Sequence, residues 1–337
     1  MATSPDQVSV LIDPPVLAFL ERTLGSPARL IEIAGDASTR RFYRATAGKV
    51  AAVLVVHPEP LAPDAPLFSN HRILESIGAP VPGILASDPA HGLVLMEDLG
   101  DVTLQKHLSN AGPGRRKGEA SRLYRQACDL IILLQRKGAA ALRPRDFAAT
   151  CALDRERFLF ELNHFHRHFI LGQKKMSPGP ADEAMLRAFY ADLAGECDRL
   201  PRVYCHRDFQ SRNLMVLRGR VGLIDFQDAR MGPYTYDAAS LLRDSSLDLD
   251  PGMVEEMLDH LGRALEAPPE ELRRDFDLMA LQRNIKDLGT FGYMATVRGR
   301  PDYLAYVPRT LRYIRSTLLR SRVCHAVFPA MERYILS

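Results

Sequence analysis

No two cysteines of this 337-residue chain stand at C-x-x-C spacing, and the five present, Cys128, Cys151, Cys197, Cys205 and Cys324, are an odd number. A disulfide framework is thereby excluded as the organising device, and free thiols in a reducing compartment are expected. Over Met1–Gln7 no basic region leads into an apolar stretch, so no secretory signal is read there. The longest apolar run, Val50–Val56, falls far short of the roughly 20 residues that a spanning helix needs. No repeat with a period of about 20 to 50 residues and no low-complexity tract occurs, which excludes a solenoid or a fibre. Neither sign of charge prevails, for the net charge is +3, too small a bias to imply nucleic acid. These absences leave a cytoplasmic protein with no membrane, nucleic-acid or obligate protein partner.

What is present suits a large packed chain. Hydrophobic residues make up 46% and charged residues 25%, enough for one large domain or two lobes with a substantial core. Short β-rich runs occupy Leu30–Ala34, Arg41–Thr46 and Val50–Val56, split by turns at Gly35–Ser38 and Ala47–Lys49. A helix is expected near Leu67–Ile77, ended by Gly78 and Pro80, and two further strand-like stretches end in Leu93–Gly100. Beyond Asp101 the spacing becomes helical, as in Leu123, Ala127, Leu130, Ile131 and Leu134, or Phe158, Leu162, Phe165 and Phe169. The exceptions are three short strands, Arg202–Cys205, Leu214–Leu217 and Val221–Ile224. The fold class is therefore α+β: a small β-rich lobe over residues 1–99, with five strands and one helix, and a large mainly helical lobe over 100–337. The cleft between the lobes is the natural ligand site.

Those three strands bracket the most informative segment, His206-Arg207-Asp208-Phe209-Gln210-Ser211-Arg212-Asn213, followed by Leu223-Ile224-Asp225-Phe226-Gln227-Asp228. Phosphoryl transfer asks little covalent chemistry of a protein; it asks for positioning and charge stabilisation. In this pattern Asp208 would accept a hydrogen bond from an attacking hydroxyl and take its proton. Asn213 and Asp225 would hold magnesium, which prefers hard oxygen ligands. A hairpin over Leu214–Leu217 and Val221–Ile224, turning at Gly219, would return Asp225 to Asn213. His206 is read as a brace of the loop rather than a chemical group.

These phrases make the chain resemble the aminoglycoside phosphotransferase family, which shares the protein-kinase-like fold, and most nearly its cell-wall amino-sugar anomeric kinases. The resemblance is carried also by Gly35–Arg44, Leu95–Asp101, Ile224–Asp237, Ala280–Lys286 and Pro308–Leu311. It implies an ATP- and magnesium-dependent kinase of a small-molecule hydroxyl, most nearly the anomeric hydroxyl of N-acetylmuramate or N-acetylglucosamine. It implies an interlobe hinge at Met96–Leu99, where backbone groups of Glu97 and Leu99 meet adenine. It also implies that Asp237 braces the catalytic loop, and that Ser38 lies in the turn that approaches phosphate.

The main departure is in the third strand, where protein kinases carry a phosphate-binding Lys and Val50–Val56 has none. Arg40 and Arg44 are the candidates to meet that charge. From Arg283 to Arg322 nine Lys or Arg stand against two Asp, an excess of seven, which suits a neutral or anionic acceptor better than a polycation. Arg283, Lys286 and Asp228 are candidate acceptor contacts. His164, His166 and His168 read as a partly exposed helix surface, since two His on one face need a third ligand to hold metal. Kinases of aminoglycosides, choline, fructosamine or homoserine remain open on the same scaffold. A catalytically weak nucleotide-binding regulator, suggested by the absent Lys, remains open as a different class.

Overall fold

The structure is a computed structural model that describes residues 13–33, 39–110, 116–320 and 327–336. The expected turn at Gly35–Ser38, and Ser38 with it, lies outside them. The chain forms two compact units, residues 1–65 with 82–99, and residues 66–81 with 100–337.

The first unit is a five-stranded antiparallel sheet of β1 (Arg29–Ile33), β2 (Arg41–Ala47), β3 (Val50–Val56), β4 (Ile84–Asp88) and β5 (Leu93–Glu97), in the order β1-β2-β3-β5-β4. Strand alternation sends Tyr43 and Ala45 of β2, Ala52 and Leu54 of β3, and Leu93 and Leu95 of β5 to one face. That face is covered by α1 (Pro14–Leu24), through Val16, Phe19 and Leu20. This helix was absent from the sequence reading. Its signals are short: prolines at the first helical turn, apolar residues three and four apart, and Gly25 in the left-handed conformation as the C-cap.

The helix expected in the first lobe, α2 (Pro66–Ser76), groups with the second unit instead. Its polar residues explain this. Asn70 is fully buried, its Nδ2 donates to the carbonyls of Gln227 and Ala229 at 3.0 Å, and its Oδ1 accepts from Tyr204 Oη at 3.1 Å. Arg72 pairs with Asp146 at 2.5 Å. A hydropathy pattern cannot tell which body such polar contacts will join.

The remaining helices are α3 (Leu104–Asn110), α4 (Arg116–Lys137), α5 (Phe147–Thr150), α6 (Arg155–Phe165), α7 (Pro180–Arg199), α8 (Tyr236–Leu242), α9 (Pro251–Leu265), α10 (Pro269–Thr296), α11 (Val307–Arg320) and α12 (Phe328–Met331). Two small antiparallel pairs complete the unit: β6 (Arg202–Cys205) with β9 (Arg230–Pro233), and β7 (Leu214–Leu217) with β8 (Arg220–Leu223). The axis of the unit is α10, whose 28 residues are buried around most of the helix, as expected of a core helix without an amphipathic stripe. It runs against α6 and the π-helical segment His166–Gln173 that continues α6. Two glycines permit the approach: a Cβ on Gly289 would stand 2.6 Å from Phe165 Cα, and one on Gly292 would stand 2.4 Å from the His168 carbonyl oxygen.

Gly289→Ala forces α10 away from α6 and is expected to lower stability by about 1–3 kcal/mol. The denaturant midpoint measures it, and an unchanged midpoint would show that the two helices separate without cost.

Candidate active site

Strand β6 ends at Cys205 and delivers the chain into the loop 206–213. Arg207 takes a left-handed conformation, φ 77°, which costs a residue with a Cβ about 1–2 kcal/mol. Three hydrogen bonds hold it there. The buried Asp237 carboxylate, in the first turn of α8, accepts from the N–H of His206 at 2.7 Å and of Arg207 at 3.0 Å. Arg283 Nη1 donates to the Arg207 carbonyl at 3.0 Å. Burial pushes the Asp237 carboxyl up from its usual range, while His206 and the two N–H donors pull the other way. His206 is itself buried, and its Nε2 donates to the carbonyl of Ile224 at 3.0 Å, tying the loop to the residue before Asp225.

Hairpin geometry brings the second half of the motif back. Arg218 and Gly219, at φ 50° and 76°, form the two-residue turn that suits the right-handed twist of paired strands. Leu214 then faces Leu223, and the N–H of Ile224 donates to the Asn213 carbonyl at 3.1 Å. Asn213 Nδ2 donates to the Asp208 carbonyl at 2.8 Å, so the donor end of the amide is engaged within the loop. Asp225 also adopts a left-handed conformation, φ 64°, and accepts from Gln227 Nε2 at 3.0 Å. Local folding thus draws Asp208, Asn213 and Asp225 into one neighbourhood.

Cations surround Asp208, whose side chain is 27% exposed. Arg207 Nη1 lies 3.6 Å from Oδ2 and Lys286 Nζ lies 3.8 Å from Oδ1. Burial alone would raise this carboxyl, but Arg207, Lys286 and Arg283 outweigh it and hold the group well below the usual carboxylate range. It is ionised throughout the physiological range. Asp228, by contrast, is held by two arginines, with Oδ1 accepting from Arg230 Nη2 at 2.9 Å and Oδ2 lying 3.3 Å from Arg207 Nη1. Arg283 is not placed to touch an acceptor. It is 1% exposed, its guanidinium carbon lies 4.8 Å over the Tyr236 ring, and Asp287 stands 4.0 Å away. Its work is behind the loop, which corrects the expectation from sequence. Among the described residues no three His, Cys, Asp or Glu side chains gather as a metal centre.

Residues 29–273 match the model of the phosphotransferase enzyme family, APH. The chain belongs to that family. It is 33% identical over 308 residues to an N-acetylmuramate/N-acetylglucosamine kinase of Pseudomonas aeruginosa, spanning 87% of this chain and 85% of that protein. A protein of the same name from Neisseria meningitidis is 31% identical over 291 residues, spanning 84% and 83%. Among solved structures the fold is similar to the ADP-bound aminoglycoside phosphotransferase APH(2'')-Ib, at a TM-score of 0.60 and 15% identity, over 91% of this chain and 99% of that one. The fold is protein-kinase-like, and the chain is a phosphotransferase that acts on a hydroxyl.

Within this phosphotransferase, the first unit places its candidates as follows. Arg44 is gripped by Asp98 through two bonds, Nε to Oδ2 at 2.5 Å and Nη2 to Oδ1 at 3.1 Å. Arg40 lies over Phe42, its guanidinium carbon 5.4 Å from the ring centre. The Glu97 N–H donates to the Gly83 carbonyl at 2.8 Å. Leu99, two residues beyond the end of β5, is half-buried.

Several of the other charges seen in the sequence are paired. On α11, Arg309 and Arg312 face Asp248, Arg315 bonds Glu332, and Arg320 bonds Asp277, so three carboxylates from outside the segment offset part of the excess of seven. His166 is buried rather than part of an exposed surface, with Nε2 3.2 Å from Glu183 Oε2. The rings of His164 and His168 lie 4.3 Å apart, tilted by 47°, beside Tyr293.

Sequence reasoning missed two carboxylates. Glu161, 4% exposed, accepts from Gln282 Nε2 at 3.0 Å and stands 4.0 Å from Arg207 Nη2; its signal was an acid set in the apolar stripe of Phe158, Leu162 and Phe165. Asp244 accepts from the N–H and hydroxyl of Ser211 at 2.8 and 2.6 Å, with no local signal in the chain.

Because the Asp208 carboxyl lies lower in the folded protein than in the unfolded chain, its charge stabilises the fold above about pH 4, and that contribution is lost as pH falls through the folded-state value. Asp208→Asn is therefore expected to unfold at lower denaturant concentration than the wild type at pH 7, with the gap closing toward pH 2. A gap independent of pH would rule this out.

Proposed function

We propose that the chain transfers the γ-phosphoryl group of ATP to the anomeric hydroxyl of an N-acetylated amino sugar, N-acetylmuramate or N-acetylglucosamine, in the cytoplasm. The observation that carries this reading is the convergence of Asp208, Asn213 and Asp225 on one loop and hairpin, in a chain about a third identical to kinases named for those two sugars. The nucleotide is supported by the ADP bound to a family member of the same fold.

Asp208 would accept a hydrogen bond from the acceptor hydroxyl and orient its oxygen toward phosphorus. Since the carboxylate is a weak base, the proton would pass to it late, as the new P–O bond forms and the bond to the β-phosphate breaks, in keeping with a loose transition state. Asn213 and Asp225 fit magnesium by their chemistry: with the amide nitrogen engaged in the loop, the amide oxygen and the carboxylate are hard donors. When bound, the ion would neutralise phosphate charge. Glu97 and Leu99 are the first unit's candidates for adenine, and Arg40 is its candidate for phosphate. Arg44 already spends its charge on Asp98. Asp228 would meet an acceptor only with the face that its two arginines leave open.

The test is ADP release with ATP and magnesium over a panel of N-acetylmuramate, N-acetylglucosamine, choline and an aminoglycoside. Turnover is expected with the two amino sugars, and release confined to choline or the aminoglycoside would refute the assignment. Asp225→Ala is expected to weaken magnesium-dependent nucleotide binding by about 100-fold or more, measured by calorimetry. Wild-type affinity in that variant would remove Asp225 as a metal ligand.

A further inference from the structure

The reading above, on which this inference rests, calls for positive charge at the phosphoryl group in transfer, and β3 contains no basic residue to supply it. We propose that Lys286, on α10 of the second unit, supplies that charge by touching the phosphoryl oxygens directly.

The argument is an inventory of the cations around Asp208. Arg207 is held by Asp228 at 3.3 Å and faces Glu161 at 4.0 Å. Arg283 is committed to the Arg207 carbonyl, the Tyr236 ring and Asp287. Arg207 Nε and Arg283 Nη2 also lack a hydrogen-bond partner but are closed off from solvent, whereas Lys286 Nζ is not. Among the described residues its ammonium has Asp208 as its ion-pair partner, at 3.8 Å, and makes no hydrogen bond, although the side chain is only 15% exposed. An ammonium with a carboxylate at 3.8 Å and no hydrogen bond has N–H donors to offer an incoming oxygen. Burial and the Arg283 charge push its pKa down, partly opposed by Asp208 and Glu161, so the environment favours an added anion. A lysine is also a compact charge on a flexible stem, able to follow a group that moves. Its base is fixed, because α10 is the buried axis of the unit.

An anionic oxygen is the ligand chemistry, and two sources are available: the phosphoryl group, or the lactyl carboxylate of N-acetylmuramate. Position favours the phosphoryl group. A hydroxyl bonded to Asp208 and the phosphorus it attacks lie within roughly 3–3.5 Å of each other, in the space that Nζ borders at 3.8 Å from Oδ1. The lactyl group leaves the sugar at the carbon two removed from the anomeric carbon, and its carboxylate is several bonds from the reacting oxygen.

The two sugars differ by that carboxylate and so separate the sources. Lys286→Met is expected to lower kcat by about 100-fold toward both N-acetylmuramate and N-acetylglucosamine, with sugar KM within threefold and the thermal midpoint near that of the wild type. Lys286→Arg is expected to restore a tenth or more of the lost rate. A loss confined to N-acetylmuramate would assign Lys286 to the acceptor carboxylate and overturn the proposal. An unchanged kcat, or a loss that accompanies a lowered thermal midpoint and is not relieved by arginine, would overturn it as well. Wild-type turnover tests the function itself, whereas the variant-to-wild-type ratio tests Lys286. Should the wild type prefer another hydroxyl compound, the amino-sugar reading falls and the ratio is read with that acceptor.

Discussion

The Asp237 carboxylate, receiving two successive backbone N–H groups at His206 and Arg207, is the interaction on which the site depends. A left-handed arginine is unfavourable by itself, and the chain adopts it because a buried anion and Arg283 reward the backbone on both sides of it. The next residue is Asp208. Its direction is therefore set by groups that hold the backbone beside it, the arrangement by which a reactive side chain is held in place at low reorganisation cost.

Charge in the second unit is layered around that loop. Asp237 and Asp244 hold its backbone from behind, while Arg207, Arg283 and Lys286 keep Asp208 ionised from the side. A strongly stabilised carboxylate is a poor base, yet it is well suited to hold a hydroxyl while phosphorus does the bond-making. The same cations that weaken its basicity place positive charge where negative charge would develop. In the first unit the ion pair of Arg44 with Asp98 engages one of the two arginines that the sequence offers for phosphate, while Arg40 lies over the Phe42 ring.

Local spacing made much of this legible. The strands of the first unit, the hairpin turning at Gly219 and the grouping of Asp208, Asn213 and Asp225 follow from alternation, turn chemistry and short chain separation, which act within a dozen residues. Helix α1 was missed because one turn and a half of apolar spacing next to two prolines is a weak signal. Helix α2 was assigned to the wrong body because its choice rests on Asn70, whose three partners lie more than a hundred residues away in the chain.

By itself the sequence determined the reaction class, since the residues that would grip metal and hydroxyl are close together and their chemistry is fixed by type. Only the tertiary structure decided which cations remain available. Arg283 and Lys286 are three residues apart on one helix, yet packing buries the first beneath Tyr236 and turns the second toward Asp208. Which neighbours a helical side chain meets is settled by the elements packed around it, and those come from distant parts of the chain.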